Sequence, residues 1–135
     1  MRYARLVFRI AGIYGLLVLL PLYFLETRIG EAAPPAITHP EFYYGFAGLS
    51  VAWQVGFLLI SRDPVRFRPL MPAAMAEKFL YVAAMAVLWS QGRVAAAMMP
   101  PVVIDLVLGA LFVSAYGRTP AALTPEARTP PPVRG

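Results

Sequence analysis

The chain contains no cysteine. Disulfides, thiolate nucleophiles and cysteine-ligated metal sites are therefore excluded. Histidine occurs once, at His39, so one chain cannot supply a two-histidine haem or a multi-histidine zinc site. No metal or cofactor is expected. Charge is also scarce: 14% of the 135 residues are charged, against about 25% in a typical soluble domain. What fills the space is apolar, 59% of residues, with a mean hydropathy of +0.63. That leaves too little polar surface to cover a water-facing globule, and the chain reads as membrane-embedded. Its formal charge of +5 does not point to nucleic acid, because the basic residues flank apolar segments.

Four apolar segments stand out, at about 6–25, 42–60, 73–90 and 98–116. Each is near the ~20 residues a helix needs to cross a hydrocarbon core. Backbone groups in lipid must pair within their own segment, so the segments are expected to be helices. The first is expected to be a retained helix rather than a cleaved signal, because prolines sit where cleavage would fall. The expected fold is an all-α, antiparallel four-helix transmembrane bundle over 1–117, followed by a flexible, proline-rich cytoplasmic tail over 118–135.

Orientation follows from the basic residues. Ten of the twelve lie at the N-terminus, around the middle connection and in the tail; only Arg28 and Arg93 lie on the other side. The positive-inside rule then puts both termini in the cytoplasm. The abundance of arginine, alanine and proline fits a bacterial source, and hence a multi-pass protein of the bacterial inner membrane. Arg62, Arg66 and Arg68 in the middle loop are expected to meet anionic headgroups of the bilayer.

Few polar residues interrupt the apolar segments. Asp105 lies in "VVIDLVLGALFV". Counted from a helix start near Pro100, it is about five residues or roughly 7 Å deep, in the outer leaflet. Partners expected there are the Leu17 carbonyl freed by Pro21, Ser50 and Arg93. Asp105 reads either as a proton or cation site or as a polar clamp between helices. Gln54, near the middle of the second segment, reads as an interhelical hydrogen-bonding group. At the inner end, Arg9 and Glu77 are expected to form an ion pair, and Lys78 to snorkel to the headgroups. Glu77, Tyr81, Leu88 and Gln91 share one helical face. Gly48, Ala52 and Gly56 repeat every four positions. They form a face of small residues that lets helices approach closely, either within the chain or across a homodimer. Thr38 or His39 can cap the second helix.

The stretches "HPEFYYGF", "WQVGFLLISRDPVR" and "EKFLYVAA" resemble a group of small bacterial four-helix membrane proteins without an assigned activity. In overall plan the chain is similar to DoxX-like membrane proteins. The resemblance implies location and architecture and carries over no catalytic residue. Small multidrug transporters share the four-helix size, but their glutamate lies well inside helix one; here the first segment offers only Glu26, at its outer end. The expected role is non-enzymatic: a structural or accessory membrane subunit with a homodimer or another membrane protein as partner. The alternative is a small proton-coupled carrier using Asp105, with Gln54 and Glu77 on the path. An intramembrane enzyme acting on lipid or quinone is the third class.

Overall fold

A computed structural model describes residues 1–121. Among them it contains helices and no strand. In chain order these are α1 (Arg2–Leu19), α2 (Glu26–Ala32), α3 (Pro40–Arg62), α4 (Met71–Ser90) and α5 (Met99–Arg118). Tight helical turns extend α1 through Leu20–Phe24, and precede α4 at Arg68–Leu70 and α5 at Ala96–Met98. With these turns, four segments of 23 residues each are long and apolar enough to cross a membrane: Arg2–Phe24, Pro40–Arg62, Arg68–Ser90 and Ala96–Arg118. Their outward surfaces agree. Leu17, Phe24, Leu49, Leu80 and Val103 are among many large apolar side chains left exposed. A water-soluble monomer rarely carries such a continuous apolar girdle. The chain has the features of a multi-pass helical membrane protein.

The proline positions explain where helices begin. Pro40 opens α3, and Pro69 and Pro72 lie in the first turns of Arg68–Leu70 and α4. A first-turn proline costs little because its missing N–H would find no partner there. The stretch around Pro69 and Pro72 is therefore already helical, although the apolar run starts only at about 73. The helix holding Lys78 starts earlier than the apolar run suggests.

Short α2 lies outside the four expected segments. Two tyrosines of α3 tie down its start and the turn before it: Tyr43 Oη donates to the Leu22 carbonyl at 2.6 Å, and Tyr44 Oη donates to Glu26 Oε2 at 2.8 Å. His39 stands at the N-terminal cap of α3, where its carbonyl accepts from the N–H groups of Phe42 and Tyr43; its ring caps no helix N–H and bonds the Glu41 side chain at 3.0 Å instead.

Packing is uneven along the helices. The tight core gathers Ala4, Val7, Phe8 and Ala11 of α1 with Phe57 and Ile60 of α3, Met71 and Ala74 of α4, and Phe112 and Ala115 of α5. At its centre Phe8 and Phe112 stack with ring centroids 4.3 Å apart, and Phe57 meets Phe112 edge-on at 4.9 Å. All three rings are fully buried. The core thus occupies the half of the molecule built from the start of α1, the end of α3, the start of α4 and the end of α5.

The close approach of α1 and α3 uses glycines of α1, not the small residues of α3. A Cβ on Gly12 would come within 2.8 Å of Leu58, and one on Gly15 would run into the Gln54 side chain. In contrast, a Cβ on Gly48 would meet only Tyr23 Oη, and one on Gly56 only Trp53; Ala52 is exposed. The face Gly48–Ala52–Gly56 is therefore not the packing face within the chain. The side chains α3 buries are Ala47, Gln54, Phe57, Ile60 and Ser61. At 100° per residue, the small residues fall on roughly the opposite side.

Thr119, just past α5, is buried. Its carbonyl accepts a bond from Arg68 Nε at 2.7 Å, and its hydroxyl donates to the Ala115 carbonyl. The end of α5 is thus fastened to the turn before α4, so the flexible tail expected over 118–135 does not begin at Arg118 or Thr119. The remainder of that tail, 122–135, lies outside the described residues.

Candidate functional site

Lys78 is the only lysine in the chain, and it is 5% exposed. It is the eleventh of the 23 residues in its apolar segment, so it sits at mid-length. An isolated ammonium there would be expensive. Its partners explain its presence. Nζ lies 3.0 Å from Asp105 Oδ1 and 3.2 Å from Glu77 Oε2, and 5.5 Å from the centre of the Phe57 ring. Gly109, buried on α5, allows the close packing beside it: a Cβ there would touch Phe79 and reach 3.4 Å from Lys78 Cβ.

Three sequence expectations change here. Asp105 is not shallow. The turn Ala96–Met98 starts its segment before Pro100, making Asp105 the tenth of 23 residues, and it pairs with Lys78 rather than with Arg93, Ser50 or the Leu17 carbonyl. Lys78 does not snorkel. Arg9 forms no ion pair with Glu77: Arg9 is exposed, and Glu77 is taken by its sequence neighbour. The cause is shared. Both helices start about a turn earlier than the apolar runs imply, so Lys78 and Asp105 both move to mid-segment.

The signal that finds this pair is the hairpin turn. Gly92 has φ +67°, the left-handed conformation that glycine adopts at no steric cost, and it separates α4 from α5. Lys78 lies fourteen positions before Gly92 and Asp105 thirteen after it. A hairpin folded at Gly92 brings the two to one level.

The cluster borders a cavity of about 320 Å³. Glu77, Lys78 and Tyr81 of α4 and Asp105 of α5 form one wall; Tyr14 and Gly15 of α1 and Ser50, Trp53 and Gln54 of α3 form the other. The cavity runs away from the phenylalanine core, between Val18, Leu19, Phe46 and Pro101. The packed half of the molecule closes one end of it. Of the expected site residues, the structure brings together Asp105, Gln54, Ser50 and Glu77. Leu88 and Gln91, expected on the face of Glu77 and Tyr81, do not line the cavity.

Hydrogen bonding inside the cavity is lopsided. Gln54, 2% exposed, donates from Nε2 to the Ser50 carbonyl one turn back on its own helix, at 3.0 Å. Among the described residues Gln54 makes no interhelical hydrogen bond; it joins the helices by packing over Gly15. Its Oε1 accepts no hydrogen bond among the described residues. Glu77 Oε2 is fully buried and, although Lys78 lies nearby, has no hydrogen-bond partner among the described residues. Asp105 accepts through Oδ1. Two carboxylates thus share one ammonium, a formal charge of −1. No group of three or more His, Asp or Glu able to hold a metal occurs among the described residues.

At the other end of the molecule, Arg68 is engaged within the chain, its guanidinium 4.0 Å above the Tyr116 ring. Arg62 and Arg66 remain exposed. Compared with models of protein families, with curated proteins and with solved structures, the chain matches none.

Proposed function

We propose that this chain is a small proton-coupled carrier of the bacterial inner membrane, an antiparallel four-helix bundle with both termini in the cytoplasm. The orientation rests on the ten-to-two distribution of basic residues. The carrier reading rests on one observation: the buried Lys78 bridges Asp105 and Glu77, at mid-segment, on the wall of a cavity. A clamp that only held α4 to α5 would need one carboxylate for one ammonium. The second carboxylate is surplus to that task, and it belongs to the lining of the cavity. Ionisable groups inside a membrane ordinarily mark an ion or substrate path. In this orientation the cavity lies on the outer side of the core that holds Phe8, Phe57 and Phe112, so the proposed state is outward-facing.

The test is proton movement. Vesicles holding the full chain should relax an imposed pH gradient faster than empty vesicles. Asp105→Asn should abolish the difference while leaving thermal unfolding in detergent near that of the parent chain. Equal rates for parent, variant and empty vesicles would reject the carrier.

A second reading, a structural or accessory subunit, is favoured by the small face of α3, which this chain leaves unfilled at Gly48, Ala52 and Gly56. That face suits a helix of a second copy or of another membrane protein. Because the chain has no cysteine, Ala52→Cys gives a unique thiol. Rapid disulfide-linked dimer on mild oxidation would support a homodimer seam; a thiol that stays monomeric would not. Arg62 and Arg66 would meet anionic headgroups in either reading.

A further inference from the structure

We propose that the cavity binds a small protonated amine with an apolar body, its N–H groups directed at Asp105, Glu77 and Gln54. This names the substrate class of the carrier reading and rests on it.

Three independent features define the ligand. The first is charge: Asp105 and Glu77 against Lys78 leave one negative charge without a counter-ion in a partly buried place. The second is hydrogen bonding. The fully buried polar atom without a partner among the described residues is an acceptor, Glu77 Oε2. The amide oxygen of Gln54, whose side chain is almost wholly buried and lines the same cavity, is a second unused acceptor. Lys78 Nζ already points its hydrogens at both carboxylates. A buried acceptor left empty calls for a donor, and leaving it so is costly; the Gln54 amide oxygen offers the donor a second place to bind. A ligand that carries both a positive charge and N–H donors answers both needs at once. A carboxylate or phosphate answers neither and would be repelled.

The third feature is the rest of the wall. Trp53, Tyr14, Tyr81 and Phe46 surround the polar cluster. Aromatic faces attract cations and accept apolar bodies. A volume of about 320 Å³ is at the small end of ligand pockets, roughly 300–1,000 Å³. A single aromatic or branched aliphatic amine fits that size; a lipid does not.

The experiment uses the full chain in detergent with Trp89→Phe, so that Trp53 is the sole tryptophan and reports on the cavity. The probes are 2-phenylethylamine, its neutral isostere 2-phenylethanol and the anion phenylacetate. The amine should change Trp53 fluorescence saturably, and the alcohol and acid should bind at least about tenfold more weakly, the scale of one charge-assisted hydrogen bond. Asp105→Asn should weaken the amine by about tenfold or more. Should that variant not fold, Glu77→Gln and Gln54→Leu put the same question, and the comparison of amine with alcohol on the parent chain needs no variant. Equal binding of amine and alcohol, or tighter binding of the acid, would overturn the proposal. The vesicle experiment separates the two claims: amine binding without proton movement keeps the ligand class and rejects the carrier, whereas proton movement without amine binding does the reverse.

Discussion

Lys78 holds two carboxylates, whereas Asp105 holds one ammonium, and the difference sets what each loss leaves behind. Without Asp105, Lys78 and Glu77 still balance. Without Lys78, two carboxylates face each other across a buried site with no counter-ion. Breaking a buried pair from the side that strands a charge costs about 3–5 kcal/mol. Lys78→Met should therefore lower the thermal midpoint in detergent strongly. Asp105→Asn, which keeps the shape and part of the hydrogen bonding, should cost about 1 kcal/mol, the scale of an interhelical hydrogen bond in a membrane. Comparable losses for the two variants would mean that Glu77 does not stabilise Lys78. The residue scale is also where the sequence was least legible. Asp105 stands out as a lone acid among apolar neighbours, but Lys78 follows Glu77 directly and lies near the apparent end of its apolar run. Depth along a helix depends on where the helix starts, and hydropathy cannot see a first turn made of Arg68, Pro69 and Leu70.

At the scale of elements, the four long helices are legible because their length and apolar content are forced by the thickness of a bilayer. Which face each one buries is not forced in that way. In lipid, a small-residue stripe and an apolar stripe are equally soluble, so Gly48, Ala52 and Gly56 gave no sign that they point outward. The packing glycines are Gly12 and Gly15, whose neighbours are Leu58 and Gln54. Gly15→Leu should disrupt the contact between α1 and α3, costing about 1–3 kcal/mol by overpacking. Ala52→Leu should stay within about 0.5 kcal/mol of the parent chain if the monomer is the folded unit. Thermal unfolding of both variants in one detergent decides this. A larger loss at Ala52 than at Gly15 would transfer the packing role to the outer face of α3.

On the scale of the whole molecule, the proposed topology makes a direct prediction. A reporter enzyme active only outside the cytoplasm should work when inserted near Glu31 and be silent when fused after residue 121. The opposite pattern would invert the bundle and with it the side on which the cavity opens.

The division of the molecule into a hollow half and a packed half has an electrical consequence. In the proposed carrier, the end of the cavity that holds Asp105, Glu77, Lys78 and Gln54 would take up water, and water would carry ions up to Lys78. The stacked rings of Phe8, Phe57 and Phe112 exclude both. A membrane voltage therefore falls mainly across the thin aromatic layer, where it acts on each elementary charge with about 2.3 kcal/mol per 100 mV. A cation entering the cavity does almost no electrical work. In the proposed carrier, the same cation passing the three rings would do nearly all of it, so voltage dependence would belong to the step that parts Phe8 from Phe112.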